Sequence, residues 1–157
     1  MMSESQYFVT FSNEVVSPQI HFGTFRIKSD EDVQKSVSTA LNVGYRAFDT
    51  ASVYKNHTKI AKTFKQTLPK LGLSRGDIFL TSKLAPKDHG TERCEAAIKN
   101  ILHDLETDYL DLFLIHWPGV QKLDVTDPMN RILRYTKHHQ ILSNKSSHKL
   151  GPRAGKY

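Results

Sequence analysis

Three apolar runs of strand length each end on an ionisable side chain. Arg46-Ala47-Phe48 stops at Asp49, Ile78-Phe79-Leu80-Thr81-Ser82 stops at Lys83, and Leu112-Phe113-Leu114-Ile115 stops at His116. A phenol, Tyr54, follows Asp49 by five residues. Stretches of helical periodicity lie between the runs, and the order strand, helix, strand, helix, strand favours a parallel sheet with right-handed crossovers. Parallel strands point their C-terminal ends to one side, and neighbours lie about 4.8 Å apart. Side chains leaving adjacent strand ends can therefore converge within about 10 Å. Asp49, Tyr54, Lys83 and His116 are accordingly candidates for one pocket.

The remaining elements are read from periodicity and turn chemistry. Residues 7–11 and 14–16, separated by Ser12-Asn13, form a short hairpin, and residues 20–22 a first strand of the parallel sheet. Ser29 and Asp32 fit a capping box ahead of Val33, Val37, Ala40 and Leu41, which recur at helical spacing until Gly44. Ile60, Ala61, Phe64 and Leu68 make a second helical stripe, halted by Pro69 and Gly72. A third begins near Thr91, with Cys94, Ile98, Ile101, Leu102 and Leu105 on its buried side. Pro118-Gly119 turns the chain outward, and residues 131–142 carry a weak helical pattern through Ile132, Leu133, Tyr135, Ile141 and Leu142.

The four polar groups suit one kind of chemistry. A phenol is a poor acid at neutral pH, but an ammonium close to its oxygen favours the phenolate. Asp49 would hold Lys83 in place, Tyr54 would protonate a developing alkoxide, and His116 would orient a carbonyl oxygen. None of them can supply a hydride, which is the work of a nicotinamide cofactor. Each also has a plainer reading. Asp49 could cap a turn with Thr50, Tyr54 and Trp117 could be packing aromatics, and His116 a hydrogen-bonded structural histidine. Lys83 is harder to set aside, because a lysine at the end of a buried strand is rare unless its charge is stabilised.

Four segments together resemble the first half of an aldo-keto reductase. They are Pro18-Gln19-Ile20-His21-Phe22-Gly23-Thr24-Phe25, the block from Gly44 to Tyr54, Asp77-Ile78-Phe79-Leu80-Thr81-Ser82-Lys83-Leu84, and Tyr109-Leu110-Asp111-Leu112-Phe113-Leu114-Ile115-His116-Trp117-Pro118. They run in family order over residues 7–130. The resemblance implies an α/β fold, a partial (β/α)8 TIM barrel of four parallel strands with alternating helices, plus an N-terminal β-hairpin that plugs the barrel. It implies NADPH-dependent reduction of aldehydes or ketones to alcohols, with no metal ion. Tyr54 would be the general acid, Lys83 and Asp49 its activators, His116 the orienting group and Trp117 a wall of the substrate site. Gly23, Thr24, Phe25 and Asp49 would lie beside the nicotinamide of NADPH or NADP+. Departures from the family pattern are His21 and Ala61, where glycines are usual, and His57, where an acid is usual. A (β/α)8 barrel takes about 250 residues, against 157 here. Loops after the later strands, which grip the cofactor's adenosine and 2′-phosphate in the family, are not in this sequence. The alternative expectation is therefore an inactive, truncated isoform, which self-associates or pairs with a full-length relative through exposed sheet edges.

Charge divides the chain in two. Seven of the 22 Lys and Arg fall in residues 131–157, which hold none of the 16 acids, so the tail accounts for the net charge of +6. The expected organisation is a half barrel over 1–130 and a basic, disordered tail over 131–157, too poor in apolar residues to offset ordering entropy. A nucleic-acid partner is disfavoured, since the tail lacks the interleaved aromatics that stack on bases. No apolar run approaches the about 20 residues of a spanning helix. The polar N-terminus lacks the pattern of a signal peptide, and the single cysteine, Cys94, excludes an intrachain disulfide. A cytoplasmic protein with a small carbonyl substrate is expected, in which the glycosylation-like triplets Asn56-His57-Thr58 and Asn144-Lys145-Ser146 carry no meaning.

Overall fold

A hairpin, β1 (Phe8–Thr10) and β2 (Val16–Pro18), leads into β3 (Phe22–Gly23), α1 (Asp30–Asn42), β4 (Ala47–Asp49), α2 (His57–Thr67), β5 (Phe79–Leu84), α3 (Thr91–Asp104) and β6 (Leu112–Ile115). This computed structural model describes residues 7–117 and Gly119. The basic tail over 131–157, the weak helix over 131–142 and the domain boundary at residue 130 lie outside the described residues. The four later strands form one sheet in the order β3-β4-β5-β6, and every neighbouring pair is parallel. The chain thus folds as part of an α/β barrel with an antiparallel hairpin attached.

The first helix, α1, starts and stops for local reasons. Ser29 accepts the Asp32 N–H at 3.0 Å and caps α1, but the expected reciprocal box is incomplete. Asp32 Oδ2 takes the Ser29 hydroxyl proton instead of the Ser29 N–H. A full box forms elsewhere, between Ser74 and Asp77, where it sets the turn that enters β5. Gly44, at φ +100°, ends α1 with Gly44 N–H on Leu41 O and Tyr45 N–H on Ala40 O. That pairing, with the Arg46 guanidinium also on Leu41 O, satisfies the last carbonyls of the helix and requires a left-handed residue that glycine adopts without strain.

The core lies between the helices and one face of the sheet. Val33, Val37, Ala40 and Leu41 of α1, Ile60 and Phe64 of α2, and Ile101 of α3 pack with Phe48, Ile78 and Leu80. Leu84 meets Cys94 and Ala97 in a smaller cluster. Burying each large apolar side chain contributes about 1.5–3 kcal/mol. Because β-strand side chains alternate, Leu80 and Leu84 face the helices, while Phe79, Thr81 and Lys83 share the opposite face. Of the residues expected on the buried side of α3, Ile98 and Leu102 are only half-buried, and Ala97 joins Cys94 and Ile101 in their place.

Strand limits differ from the sequence reading because partners set them. β2 is Val16–Pro18 in place of residues 14–16, since a five-residue loop closed by Phe11 N–H on Val15 O precedes it. Glu14 turns that loop with φ +65°. β3 is Phe22–Gly23 in place of residues 20–22; it pairs only where β4 offers Phe48 and Asp49, and Ile20 is exposed. β4 runs one residue further than read, so Asp49 is its last residue. β5 likewise continues through Leu84, because β6 pairs with it as far as Leu84 and Ile115. Lys83 therefore sits inside a strand, where the sequence placed it just past one. Among the described residues no helix is long and apolar enough to cross a membrane.

Candidate active site

Three strand ends deliver the polar groups to one rim. β4 closes on Asp49, and a short 3-10 turn over Ser52–Tyr54 brings the phenol back over the strand ends. Lys55 follows in the left-handed region at φ +57°, reversing the chain into α2. β5 carries Lys83 between β4 and β6. Its ammonium donates to Asp49 Oδ1 at 2.5 Å, to the Thr50 carbonyl at 3.0 Å and to Tyr54 Oη at 3.3 Å. An ammonium has three protons, and these three acceptors use all of them. Lys83 keeps 12% of its side-chain exposure and Asp49 28%, so the ion pair is partly withdrawn from water and weakly screened.

His116 stands directly after β6, anchored by its N–H on Leu84 O at 3.1 Å. Its ring meets Tyr54 edge-on, centroids 5.5 Å apart. Partial burial, and then the Lys83 ammonium, hold the imidazole below its ordinary 6.5, with Asp49 pulling the other way. The neutral ring that results carries one donor and one acceptor nitrogen. Nδ1 is buried and has no hydrogen-bond partner among the described residues.

Asp49, Tyr54, Lys83 and His116 are thus brought together. The residues expected beside a cofactor divide. Gly23, opposite Asp49 across β3 and β4, and Phe25 are exposed at the same rim, and the Phe25 ring lies 5.1 Å from that of Tyr54. Thr24 is 1% exposed, with its N–H and hydroxyl both donating to the Asp49 carbonyl. Its side chain braces Asp49 and does not open to the rim. Trp117, next after His116, is 57% exposed.

Two buried polar groups escaped the sequence reading. Asn56 accepts the Thr50 hydroxyl at 2.8 Å and donates to the carbonyls of Thr24 and Ile27 at 3.0 and 3.1 Å. Its place just before α2 is that of an N-cap, yet its side chain caps nothing. His57 pairs with Ser82 Oγ at 3.2 Å beneath the site. Burial lowers its pKa from 6.5 to about 4, with Lys83 adding to the shift and Asp104 opposing it. Neither contact has a spacing signal in the sequence, since each joins separate elements.

The sequence matches the model of the Aldo/keto reductase family over residues 19–137. The chain belongs to that family. It is 39% identical over 114 residues to "Glyoxal reductase" of Bacillus subtilis (strain 168), covering 73% of this chain and 40% of that protein. It is 44% identical over 111 residues to "D/L-glyceraldehyde reductase" of Hypocrea jecorina, covering 70% of this chain and 33% of that one. Among solved structures, an aldo/keto reductase from Brucella melitensis superposes with a TM-score of 0.65 at 40% identity, covering 71% of this chain and 40% of its own. The aldo/keto reductase chain described here therefore spans well under half the length of these relatives.

Proposed function

We propose that this chain carries the proton-handling site of an NADPH-dependent carbonyl reductase, which converts small aldehydes or ketones to alcohols. The observation that carries the reading is the single ammonium of Lys83 bonded at once to Asp49, the Thr50 carbonyl and Tyr54 Oη, with the His116 ring against the phenol. The residues present fit the nicotinamide end of such a cofactor: Gly23 and Phe25 leave open surface beside Tyr54, and the His116 ring stands edge-on against the phenol. Gly23, Phe25 and Asp49 would hold that end, with Thr24 supporting Asp49 from behind. A nicotinamide, when bound, supplies the hydride.

The chain's own groups manage the oxygen. His116 donates a hydrogen bond from its neutral imidazole to the carbonyl oxygen and fixes its approach. As that oxygen gains negative charge, Tyr54 Oη gives up its proton to it, forming the alcohol. The Lys83 ammonium, held by Asp49 and Thr50, donates to the phenolate oxygen left behind and stabilises its charge. Trp117 and Phe25 offer apolar surface against which a small carbonyl compound can rest. The printed names of the relatives, a glyoxal and a glyceraldehyde reductase, support small aldehydes as the first substrates to try. We place the protein in the cytoplasm, a setting that suits its single cysteine.

Tyr54→Phe tests the assignment directly. With NADPH and a small aldehyde, cofactor oxidation by the variant falls by about 10²–10⁴-fold, the range for losing a general acid. Turnover that survives the change unaltered removes the phenol from the mechanism. A second reading is favoured by the edge of β6, where Leu114 and Ile115 are 39% and 42% exposed. In it the 157-residue chain is inactive alone and pairs with a copy of itself or a full-length relative. Titrating the chain with NADPH by nicotinamide fluorescence separates the two, because only the first reading expects saturable binding by the isolated chain.

A further inference from the structure

We infer that Asn56 is a positioning residue which sets the Phe25 ring and the Lys83 ammonium against Tyr54. This inference rests on the carbonyl-reductase reading for its purpose, although its geometry stands independently. Asn56 has no exposed surface. Both its N–H groups and its carbonyl are used in bonds that leave only one orientation of the amide. A flipped amide would point Oδ1 at the Thr24 and Ile27 carbonyls, two acceptors, and lose both bonds.

The two carbonyls that receive the Asn56 protons are the two ends of one turn. Ile27 N–H bonds back to Thr24 O at 3.2 Å, and the loop between them presents Phe25 to Tyr54. Arg26, the third residue of this turn, has φ +67°, a left-handed conformation that an L side chain adopts only under strain. Such a conformer persists only where its surroundings fix it, and Asn56 is what fixes this one from both ends. On its other side the amide oxygen accepts from Thr50 Oγ1. Thr50 in turn is held by its N–H on Thr81 O and offers its carbonyl to Lys83 Nζ. Tyr54 lies two residues before Asn56 along the chain. One buried amide thus ties together the loop carrying Phe25, the turn carrying Tyr54 and the backbone acceptor of Lys83.

The spare chemistry of the position supports the assignment. An asparagine before α2 would ordinarily cap that helix and stabilise it. The side chain forgoes the cap and points across the loops, so its hydrogen bonds serve the rim and not the helix.

Asn56→Ala and Asn56→Asp in the 157-residue chain test this. The aspartate retains the acceptor for Thr50 but cannot donate to the two carbonyls, so it isolates the clamp on the turn. In both variants the ring-to-ring NOE between Phe25 and Tyr54 disappears, while that between Phe48 and Phe64, also 5.1 Å apart but in the core, is retained. The Ile27 amide exchanges about tenfold faster, the loss of one to two hydrogen bonds, and the Leu80 amide is unchanged. Where the chain turns over, kcat falls by up to about 100-fold, the effect of a misplacement near 1 Å, and KM for the aldehyde stays within about threefold. Retention of the Phe25–Tyr54 NOE in both variants, or equal acceleration of the Ile27 and Leu80 amides, overturns the inference. A wild-type chain with no turnover refutes the carbonyl-reductase reading instead, and leaves the NOE and exchange results to decide the role of Asn56.

Discussion

The two ends of the sheet spend buried charge in opposite ways. At the N-terminal end, Arg75 donates to Thr107 Oγ1, to the carbonyls of Ile78 and Tyr109, and to Asp111 Oδ2 at 2.8 Å, with its guanidinium 4.1 Å from the Tyr109 ring centroid. Asp111 also accepts the Leu80 N–H at 2.9 Å and keeps only 5% of its side-chain exposure. At the C-terminal end the cation is the more buried partner, Lys83 keeping 12% of its side-chain exposure, while Asp49 keeps 28% and the large aromatic side chains of Phe25 and Trp117 stand open. One end closes its polar groups into a staple between β5 and β6. The other fully satisfies its cation and leaves the carboxylate and the flanking aromatics facing outward. In (β/α)8 barrels the first pattern belongs to stability and the second to chemistry.

The comparison breaks most visibly at Asp111. Asp111→Ala leaves a guanidinium and a strand N–H without their carboxylate, and should cost about 3–5 kcal/mol in urea unfolding. If instead the C-terminal pair proves as costly to break, the distinction between the two ends collapses.

Acid sharpens the same contrast beneath the site. His57 titrates at about 4 in the folded chain and near 6.5 once unfolded. As pH falls, the unfolded state takes up the proton first, so this contribution is complete above pH 6.5 and lost between there and about 4. It amounts to on the order of 3 kcal/mol. His57→Gln should flatten the pH dependence of the unfolding midpoint across that window, and an unaltered slope would show that His57 is not its source.

The smallest expected change in stability is at Lys83. Lys83→Met leaves Asp49 28% exposed and therefore solvated, at a cost of about 1 kcal/mol by thermal unfolding. Turnover, in contrast, should vanish with it. A large loss of stability here would recast the rim as structural.

What the sequence disclosed was periodic or local. The stripe Val33, Val37, Ala40 and Leu41, the stop at Gly44 and the apolar runs ending in Asp49, Lys83 and His116 can all be read within a few residues of themselves. Their meeting at one rim followed from strand order alone. What stayed hidden was pairing between distant segments. The Arg75–Asp111 staple joins residues 36 apart, and Asn56 looks like an ordinary helix cap until its partners on two other loops are seen. Strand ends moved by a residue or two for the same reason: β5 extends to Leu84 only because β6 lies beside it. The β2 register depends on Glu14 adopting a left-handed turn, a choice that no local preference of glutamate announces.

Lys83 is paired with Leu114 of β6, one residue short of where β5 ends, and its ammonium reaches across to Asp49 at the end of β4. The loop after β5 begins only beyond Leu84, so a change of its length or sequence leaves the strand that carries the cation untouched. Whatever that loop becomes, the ammonium stays within reach of the Tyr54 oxygen.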